Sequence, residues 1–312
     1  MFSQTINDQI EGKPYLKVFS NFHADLSENN QEYGFELTRA YFGYKAKLGD
    51  NFETNVCIDA GTFKNDDGTK LYKIYFKYAT LFYRKDKFSA AFGLIGLNHF
   101  RVQEKMWGHR YLYKSFLDQY KQSHSADLGL TLQYDINEEL SVDATLRNGE
   151  GYKNLQTDNT LRLGGGLTYN AKYGLVARLY ADYYEKQVQQ TMFTGFLGYE
   201  KKGMFKVGVE YNYIKNADWI SSHIKDGVSV FASYDVTDKV ELFGRYDDLN
   251  SSCHSDVEDI CGLDFNGKYI IGGIQYRAGK NVKIALNHQG KLSEPDGTYR
   301  NMVYMNFEYR FN

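Results

Sequence analysis

Residues 303–311, VYMNFEYRF, alternate between two kinds of side chain. The odd-numbered positions share one face, which is apolar and aromatic: Val303, Met305, Phe307, Tyr309 and Phe311. The opposite face carries a tyrosine, an asparagine, a glutamate and an arginine. Because successive side chains of a β-strand point to opposite faces, this period of two predicts a strand that separates an apolar medium from a polar one.

The same alternation recurs along the whole chain, for example in residues 127–134, 140–147 and 205–213. It predicts sixteen strands, near residues 14–25, 32–48, 52–62, 71–84, 88–99, 125–135, 139–148, 160–171, 174–186, 190–200, 203–216, 226–236, 239–248, 267–278, 281–290 and 299–312. Most are about ten residues or longer, the length that crosses a bilayer at a tilt. Strands of ordinary globular proteins are nearer five or six residues.

The composition agrees with an almost all-β chain. Its 312 residues include 28 Tyr, 21 Phe and 29 Gly but only 2 Pro. Aromatic residues favour strands, and proline interrupts a hydrogen-bonded ladder. No stretch approaches the roughly 18 consecutive apolar residues of a membrane helix, but a barrel wall needs only every second residue to be apolar. The net charge of −2 gives no indication of nucleic-acid binding.

The predicted connections alternate between short turns and longer loops. Short turns centre on residues 49–50, 85–87, 137–138, 172–173, 201–202, 237–238 and 279–280, and the other connections are longer except at 187–189. This is the plan of an outer-membrane barrel. We therefore predict one domain, residues 1–312, that forms an antiparallel transmembrane β-barrel of about sixteen strands. Its turns are expected to be periplasmic, its longer loops extracellular and both its termini periplasmic.

Two soluble folds compete with this prediction. A β-sandwich requires shorter strands and a packed core beneath one face of each sheet. A pair of eight-strand barrels requires a linker, and the chain has no Pro-rich or Ser-rich break. The charged inner faces of strand after strand favour the single large barrel. A barrel of sixteen to eighteen strands encloses an aqueous channel, so its size predicts a pore unless a loop plugs it.

The third long connection, residues 100–124, is the longest and is amphipathic. Its basic surplus includes Arg101, Lys105, Arg110 and Lys114. A long loop of a large barrel can fold into the lumen, where these charges would favour anions. The alternative is an external flap whose charges are solvated. Loop position and length favour the lumen, and we expect this loop to form the constriction.

This region resembles the phosphate-selective porin O and P type family. The resemblance rests on Glu104-Lys105-x-Trp107-Gly108-x-Arg110-Tyr111, Lys114-Ser115-Phe116-x-Asp118, Ser125-Ala126-Asp127-Leu128-Gly129 and Asn148-Gly149-Glu150-Gly151-Tyr152-Lys153. It is dense over residues 100–153 and thinner elsewhere. The resemblance implies a sixteen-stranded, often homotrimeric channel whose third loop sets its selectivity, with a preference for anions such as phosphate.

The predicted inward faces carry nearly balanced charges, which is typical of a weakly selective pore. Arg147, Arg162 and Arg178 fall on neighbouring strands and form a candidate basic wall facing the third loop. The alternative is that these arginines pair with Asp143 and Asp182 and only stabilise the wall. Other inward basic candidates are Lys17, Arg39, Lys45, Lys73, Lys77, Lys206, Arg245, Lys283 and Arg310.

The loop at 249–266 contains Cys253 and Cys261, and Cys57 stands alone. An outward loop in an oxidising compartment favours a disulfide between the first two. A metal site with His254, Asp256, Glu258 and Asp259 is the weaker alternative because the spacing matches no zinc motif. We expect no bound metal and no cofactor.

Catalytic motifs are absent from the sequence. His99, His109 and His124 bracket the third loop near Ser123 and Ser125, but no G-x-S-x-G motif accompanies them. We therefore expect a non-enzymatic porin that passes small hydrophilic or anionic solutes and contacts lipid but not nucleic acid. The alternative is a plugged barrel that binds a partner through its loops.

Overall fold

The computed structural model describes residues 10–27, 32–64, 69–252, 266–294 and 297–311. Sixteen antiparallel strands pair in chain order, and β1 pairs with β16 to close the barrel. The predicted strand number and closed topology are confirmed. The strands are β1 Ile10–Asp25, β2 Tyr33–Leu48, β3 Phe52–Lys64, β4 Lys70–Lys85, β5 Phe88–Gly96, β6 Ala126–Asp135, β7 Leu140–Arg147, β8 Arg162–Asn170, β9 Leu175–Glu185, β10 Gln189–Lys201, β11 Phe205–Lys215, β12 Ile224–Asp235, β13 Val240–Ser252, β14 Gly267–Gly279, β15 Val282–Ser293 and β16 Tyr299–Phe311.

The alternation seen in the sequence separates the two surfaces of the wall. Apolar side chains on the outside are exposed, for example Phe35, Tyr72, Ile74 and Phe92. Polar and charged side chains point inward and are largely buried. An outward apolar band with a polar interior is the arrangement that a bilayer requires of a barrel. None of the described helices is long or apolar enough to span a membrane.

The two ends of the barrel differ in their connections. At one end β2–β3, β4–β5 and the later even–odd pairs are joined by turns of two to four residues. We call this the short-turn end, and the first residues of β1 and the last of β16 lie there. The opposite, long-loop end carries the third connection and the other longer loops. The loop at 253–265, including Cys253 and Cys261, lies outside the described residues.

The third connection folds into the lumen, as predicted. It contains α1, Arg101–Trp107, and α2, Phe116–Gln119. Two apolar clusters fix it against the inner wall. The first packs Met106, Trp107 and Tyr111 on side chains of β1, β2, β10, β12, β13 and β14. The second packs Phe116, Leu117 and Tyr120 on side chains of β9, β10, β11, β13 and β14. The loop therefore fills the lumen beside β9–β14.

Candidate pore constriction

A cavity of about 640 Å³ remains beside β1–β5, where the third loop does not fill the lumen. It begins at the short-turn end, where Glu11, Lys13 and Lys47 line it, and it reaches Lys77 and Arg110 near the middle of the barrel. Charged and aromatic side chains share its lining. Its inner end therefore lies where the third loop meets the wall.

Hydrogen bonds hold the third loop on the side away from this cavity. Trp107 Nε1 donates to the Tyr113 carbonyl at 2.8 Å, and Tyr111 donates to Gln275 Oε1 of β14 at 2.8 Å. Tyr120 donates to Asp247 of β13 at 2.7 Å. Arg245 Nη1 donates to the Lys114 carbonyl at 2.7 Å. The first bond is internal to the loop and the other three join both halves of the loop to β13 and β14, so the loop has one defined position in the lumen.

His109 is neutral in this arrangement. Burial, followed by repulsion from Lys283, lowers its pKa to about 3. Its Nδ1 lies 2.6 Å from the Trp107 carbonyl, so this nitrogen carries the proton and donates. Its Nε2 lies 3.5 Å from Glu241, a contact that is an ion pair only when the ring is protonated. His109 therefore stiffens the loop and adds no charge to the lumen at neutral pH.

Arg110 is the central cation of the constriction. Its guanidinium lies 3.2 Å from Glu104 and 3.2 Å from Asp118, and Nη2 is 3.4 Å from the Tyr41 hydroxyl. Burial alone would lower the pKa of Arg110, but Glu104, Tyr41 and Asp118 raise it well above its ordinary value. Arg110 is therefore charged at every physiological pH.

Asp118, one of the two acidic partners of Arg110, is also charged. Burial raises the pKa of Asp118, but Arg110 and then Lys114 outweigh burial and lower it to about 2. Lys114 Nζ lies 3.8 Å from Asp118. Burial lowers the pKa of Lys114, and Asp118 opposes this effect. The carboxylates of Glu104 and Asp118 thus face Arg110 and Lys114 within the loop.

The facing wall adds a second charged group. Arg39 of β2 lies 3.0 Å from Asp59 of β3, and the Tyr152 hydroxyl donates to the same carboxylate at 2.6 Å. Lys77 of β4 donates to Ser125, and its Nζ lies 4.0 Å from the centroid of the Tyr152 ring. The aromatic ring and the serine fix the position of this buried side chain.

The fourth connection, residues 148–161, supplies Tyr152 and Lys153 to this group. Lys153 Nζ lies 5.7 Å from the Tyr75 ring centroid. Burial, followed by repulsion from Arg39 and Lys114, lowers the pKa of Lys153 to about 8. The constriction group is therefore made of five basic side chains and three carboxylates, namely Arg39, Lys77, Arg110, Lys114, Lys153, Asp59, Glu104 and Asp118.

The three wall arginines lie elsewhere and have acidic partners. Arg147 and Arg162 lie 3.0 and 2.8 Å from Asp182, and Arg178 lies 2.7 Å from Asp143. All three are buried. These are the pairings of the alternative stated above. Gly166 allows this geometry because a Cβ there would lie 2.5 Å from Arg178 Nη2.

The two other basic residues predicted for the constriction, Arg101 and Lys105, are more exposed. Arg101 lines the cavity and lies 3.4 Å from Asn98, and its side chain is exposed. Lys105 is exposed on the next turn of α1. The structure thus brings Arg110 and Lys114 together at the constriction, with Arg101 at its edge. It does not bring Arg147, Arg162 and Arg178 into that group.

Sequence reasoning missed Tyr152 and Lys153. The sequence feature that marks them is the stretch Asn148-Gly149-Glu150-Gly151-Tyr152-Lys153, which indicated only the family resemblance and not a contact with the lumen. Gly149 and Gly151 have φ of 112° and 80°. A Cβ on Gly151 would also strike the His124 ring, so the backbone bends closely against the third loop here. This bend directs the fourth connection toward the lumen.

The described residues offer few other candidates for a disulfide, a metal site or a catalytic site. Cys57 is the free cysteine of the described residues, and it is buried. No group of three or more His, Cys, Asp or Glu side chains that could share a metal occurs within the described ranges. The proposed disulfide and its metal alternative lie in the loop outside those ranges. His99 is buried, and burial followed by repulsion from Arg147 lowers its pKa well below its ordinary value.

Comparison with known proteins identifies solved barrels of the same fold. No protein-family model matches the chain, and no curated protein matches it. The outer membrane channel DcaP of Acinetobacter baumannii is 12% identical, with 97% of this chain and 98% of that chain covered and a TM-score of 0.67. The anion-selective porin from Comamonas acidovorans is 12% identical, with 97% and 100% covered and a TM-score of 0.70.

The high-pH structure of Pseudomonas putida OprB is 10% identical, with 98% of this chain and 96% of that chain covered and a TM-score of 0.73. At these identities the likeness establishes the fold. The chain has the sixteen-strand barrel of outer-membrane porins over essentially its whole length. The narrower resemblance to the phosphate-selective O and P type stays a prediction.

Proposed function

We propose that this protein is an outer-membrane porin through which small hydrophilic solutes diffuse passively, with a preference for anions such as phosphate. The observation that carries the proposal is the cavity beside β1–β5, which leads from the short-turn end to the constriction group. Solute passes between the third loop and this part of the wall. It undergoes no chemical change, so the protein is not an enzyme.

The anion preference follows from the charges at the inner end of the cavity. Five basic side chains and three carboxylates meet there, and the ammonium groups of Lys77 and Lys153 also lie over aromatic rings. Buried charges are weakly screened, so this excess of positive charge acts on a passing ion over several ångströms. The arginines Arg147, Arg162, Arg178 and Arg245, which lie elsewhere in the wall, are each balanced by a carboxylate.

The membrane placement follows from the same geometry. The outward apolar band suits lipid, and the short-turn end is proposed to face the periplasm together with both termini. Trimers occur among the structural neighbours, in OmpT of Vibrio cholerae. We propose a homotrimer for this protein as well. The anion-selective porin from Comamonas acidovorans shares this fold, so the fold is compatible with the proposed anion selectivity.

A plugged barrel is the second candidate, and the packing of the third loop favours it. Both apolar clusters bind the loop to the wall, and Arg110 reaches Tyr41 on the opposite side. In that case the long-loop end would bind a partner and no ion would pass. The two functions differ in one measurable property, which is conductance.

The experiment is reconstitution of the purified protein in a planar bilayer. We expect discrete single-channel steps, and in a KCl gradient we expect a reversal potential displaced toward that of chloride. Added phosphate should lower the chloride current because both anions share the constriction. Inserted barrels without conductance would refute the porin and favour the plugged barrel. A reversal potential on the potassium side would refute the anion preference alone.

A further inference from the structure

Four polar side chains form a continuous patch on the inner face of β10–β12, away from the cavity. Thr194 pairs with Asn212 across β10 and β11, and Glu210 pairs with Ser229 across β11 and β12. Asn212 and Glu210 are two residues apart and share a face, and Asn212 Nδ2 donates to Glu210 Oε1 at 3.0 Å. All four are buried, with at most 2% exposed.

Apolar side chains close this patch at both ends. Toward the short-turn end, Phe196 and Phe231 stack with their ring centroids 6.2 Å apart. Toward the long-loop end, Phe116 occupies the space that a Cβ on Gly227 would need. Helix α1 contacts β10 and β11. We call this buried polar patch, with the side chains that close it, the Glu210 chamber.

The chamber is lined by oxygen atoms that have no hydrogen-bond partner among the described residues. They are Thr194 Oγ1, Asn212 Oδ1 and Ser229 Oγ. The Oε1 atom of Gln103, on the buried face of α1, also lacks a partner. A buried polar atom without a partner is destabilising, so three of them on neighbouring strands, with a fourth on the helix that contacts two of those strands, indicate a shared ligand.

Glu210 is the acidic side chain of the chamber. It belongs to no ion pair within the described part of the chain. The guanidinium of Arg245 is already engaged: Nε and Nη2 donate to Asp247 and Nη1 to the Lys114 carbonyl. Because Arg245 and Asp247 neutralise each other, an ionised Glu210 has no counter-charge in the protein. A buried carboxylate without a counter-charge is costly.

The chemistry of these donors selects the ligand. All are hard oxygen atoms, which suit hard cations rather than transition metals. Calcium sites usually combine several carboxylates, whereas this chamber has one carboxylate and neutral oxygens. We propose that the Glu210 chamber binds a monovalent metal cation of the size of sodium. Glu210 supplies the charge, and Thr194, Asn212 and Ser229, with Gln103 of α1, supply neutral ligands.

Such a cation has a structural consequence. Because its ligands come from both the wall and α1, it fastens the third loop against β10–β12. This inference is independent of the proposed function, since it holds whether or not the barrel conducts.

The test is the unfolding temperature of the full chain, refolded in detergent, in sodium chloride and in choline chloride at equal ionic strength. We expect sodium to raise it by about 5 °C, the size of effect that saturating binding of a small ligand gives. Glu210→Gln should abolish the difference. In choline this variant should be at least as stable as the original protein, because a buried uncompensated charge is gone.

The matched control is Glu53→Gln, which removes an exposed carboxylate beside the cavity and should keep the sodium effect. Equal unfolding temperatures in the two salts, or a sodium effect that survives Glu210→Gln, would overturn the proposal. A direct observation is the anomalous signal of thallium(I) in soaked crystals. A peak beside Glu210 is expected, and its absence would also overturn the proposal. An unfolding temperature that depends on pH but not on the cation would indicate a protonated Glu210 with water instead.

Discussion

Arg110 Nη2 lies 3.2 Å from Asp118 Oδ2, across the bend that separates the two helices of the third loop. This ion pair fixes the shape of the loop, and Glu104 is a second carboxylate partner of Arg110. The excess of basic over acidic side chains at the constriction therefore comes from outside the loop, where Arg39, Lys77 and Lys153 accompany Asp59. The selectivity of the pore is shared between the loop and the wall.

Removal of the Asp118 charge should strengthen the anion preference. In Asp118→Asn, Arg110 and Lys114 lose a counter-charge, and we expect the anion-to-cation permeability ratio to rise roughly twofold, as a rise in local positive field implies. The reversal potential in a KCl gradient measures this. Asp238→Asn, an exposed turn residue, is the control and should leave the ratio unchanged. A fall in the ratio would contradict the assigned role.

The anion preference should decline with rising pH because of Lys153. Its pKa is lowered to about 8, so its ammonium is charged below this pH and becomes neutral above it. We expect the permeability ratio to fall between pH 7 and pH 9. Lys153→Arg should weaken this dependence, since guanidinium stays charged throughout. A ratio that is flat in the original protein would refute the prediction.

Trp107 should hold the third loop in place. Its ring lies 5.4 Å from that of Phe231 and 6.1 Å from that of Phe243. We expect Trp107→Ala to destabilise the barrel by about 3–5 kcal/mol, the cost of removing a buried aromatic side chain. Urea unfolding in detergent measures this, and single-channel recordings should show added current noise. Lys105→Ala, two residues earlier in α1 and exposed, is the control. Equal stability of the two variants would show that the ring is dispensable.

The Arg178–Asp143 pair should matter for stability rather than selectivity. Both side chains are buried, so Arg178→Met leaves a charge without a partner, at a cost of about 3–5 kcal/mol. The double variant Arg178→Met with Asp143→Leu should recover most of this loss. Lys172→Met breaks an exposed pair with Glu138 and should cost at most about 1 kcal/mol. A double variant no better than the single one would refute this interpretation.

The barrel was predictable because its signal is local. Alternation along each strand separates lipid-facing from lumen-facing side chains, and Arg178, Lys77 and Arg110 were all assigned to the interior. The pairing of Arg178 with Asp143 was one of two alternatives that the sequence left open, because these residues are 35 positions apart and meet only through the register of three strands. The contact of Lys77 with Tyr152 depends on the fourth connection, which reaches β4 on the lumen side of the wall. Contacts of this kind produce no periodic pattern in the sequence.

The central claim is that solute passes beside β1–β5 and not beside β10–β12. Cysteine labelling with an anionic methanethiosulfonate during single-channel recording tests it, in a background in which Cys57, Cys253 and Cys261 are serine. Lys17, which lines the cavity, and Thr194, which is buried in the Glu210 chamber, are each replaced by cysteine. The account predicts that the reagent reduces the current of Lys17→Cys and leaves that of Thr194→Cys unchanged. Block of Thr194→Cys with no effect on Lys17→Cys would contradict it.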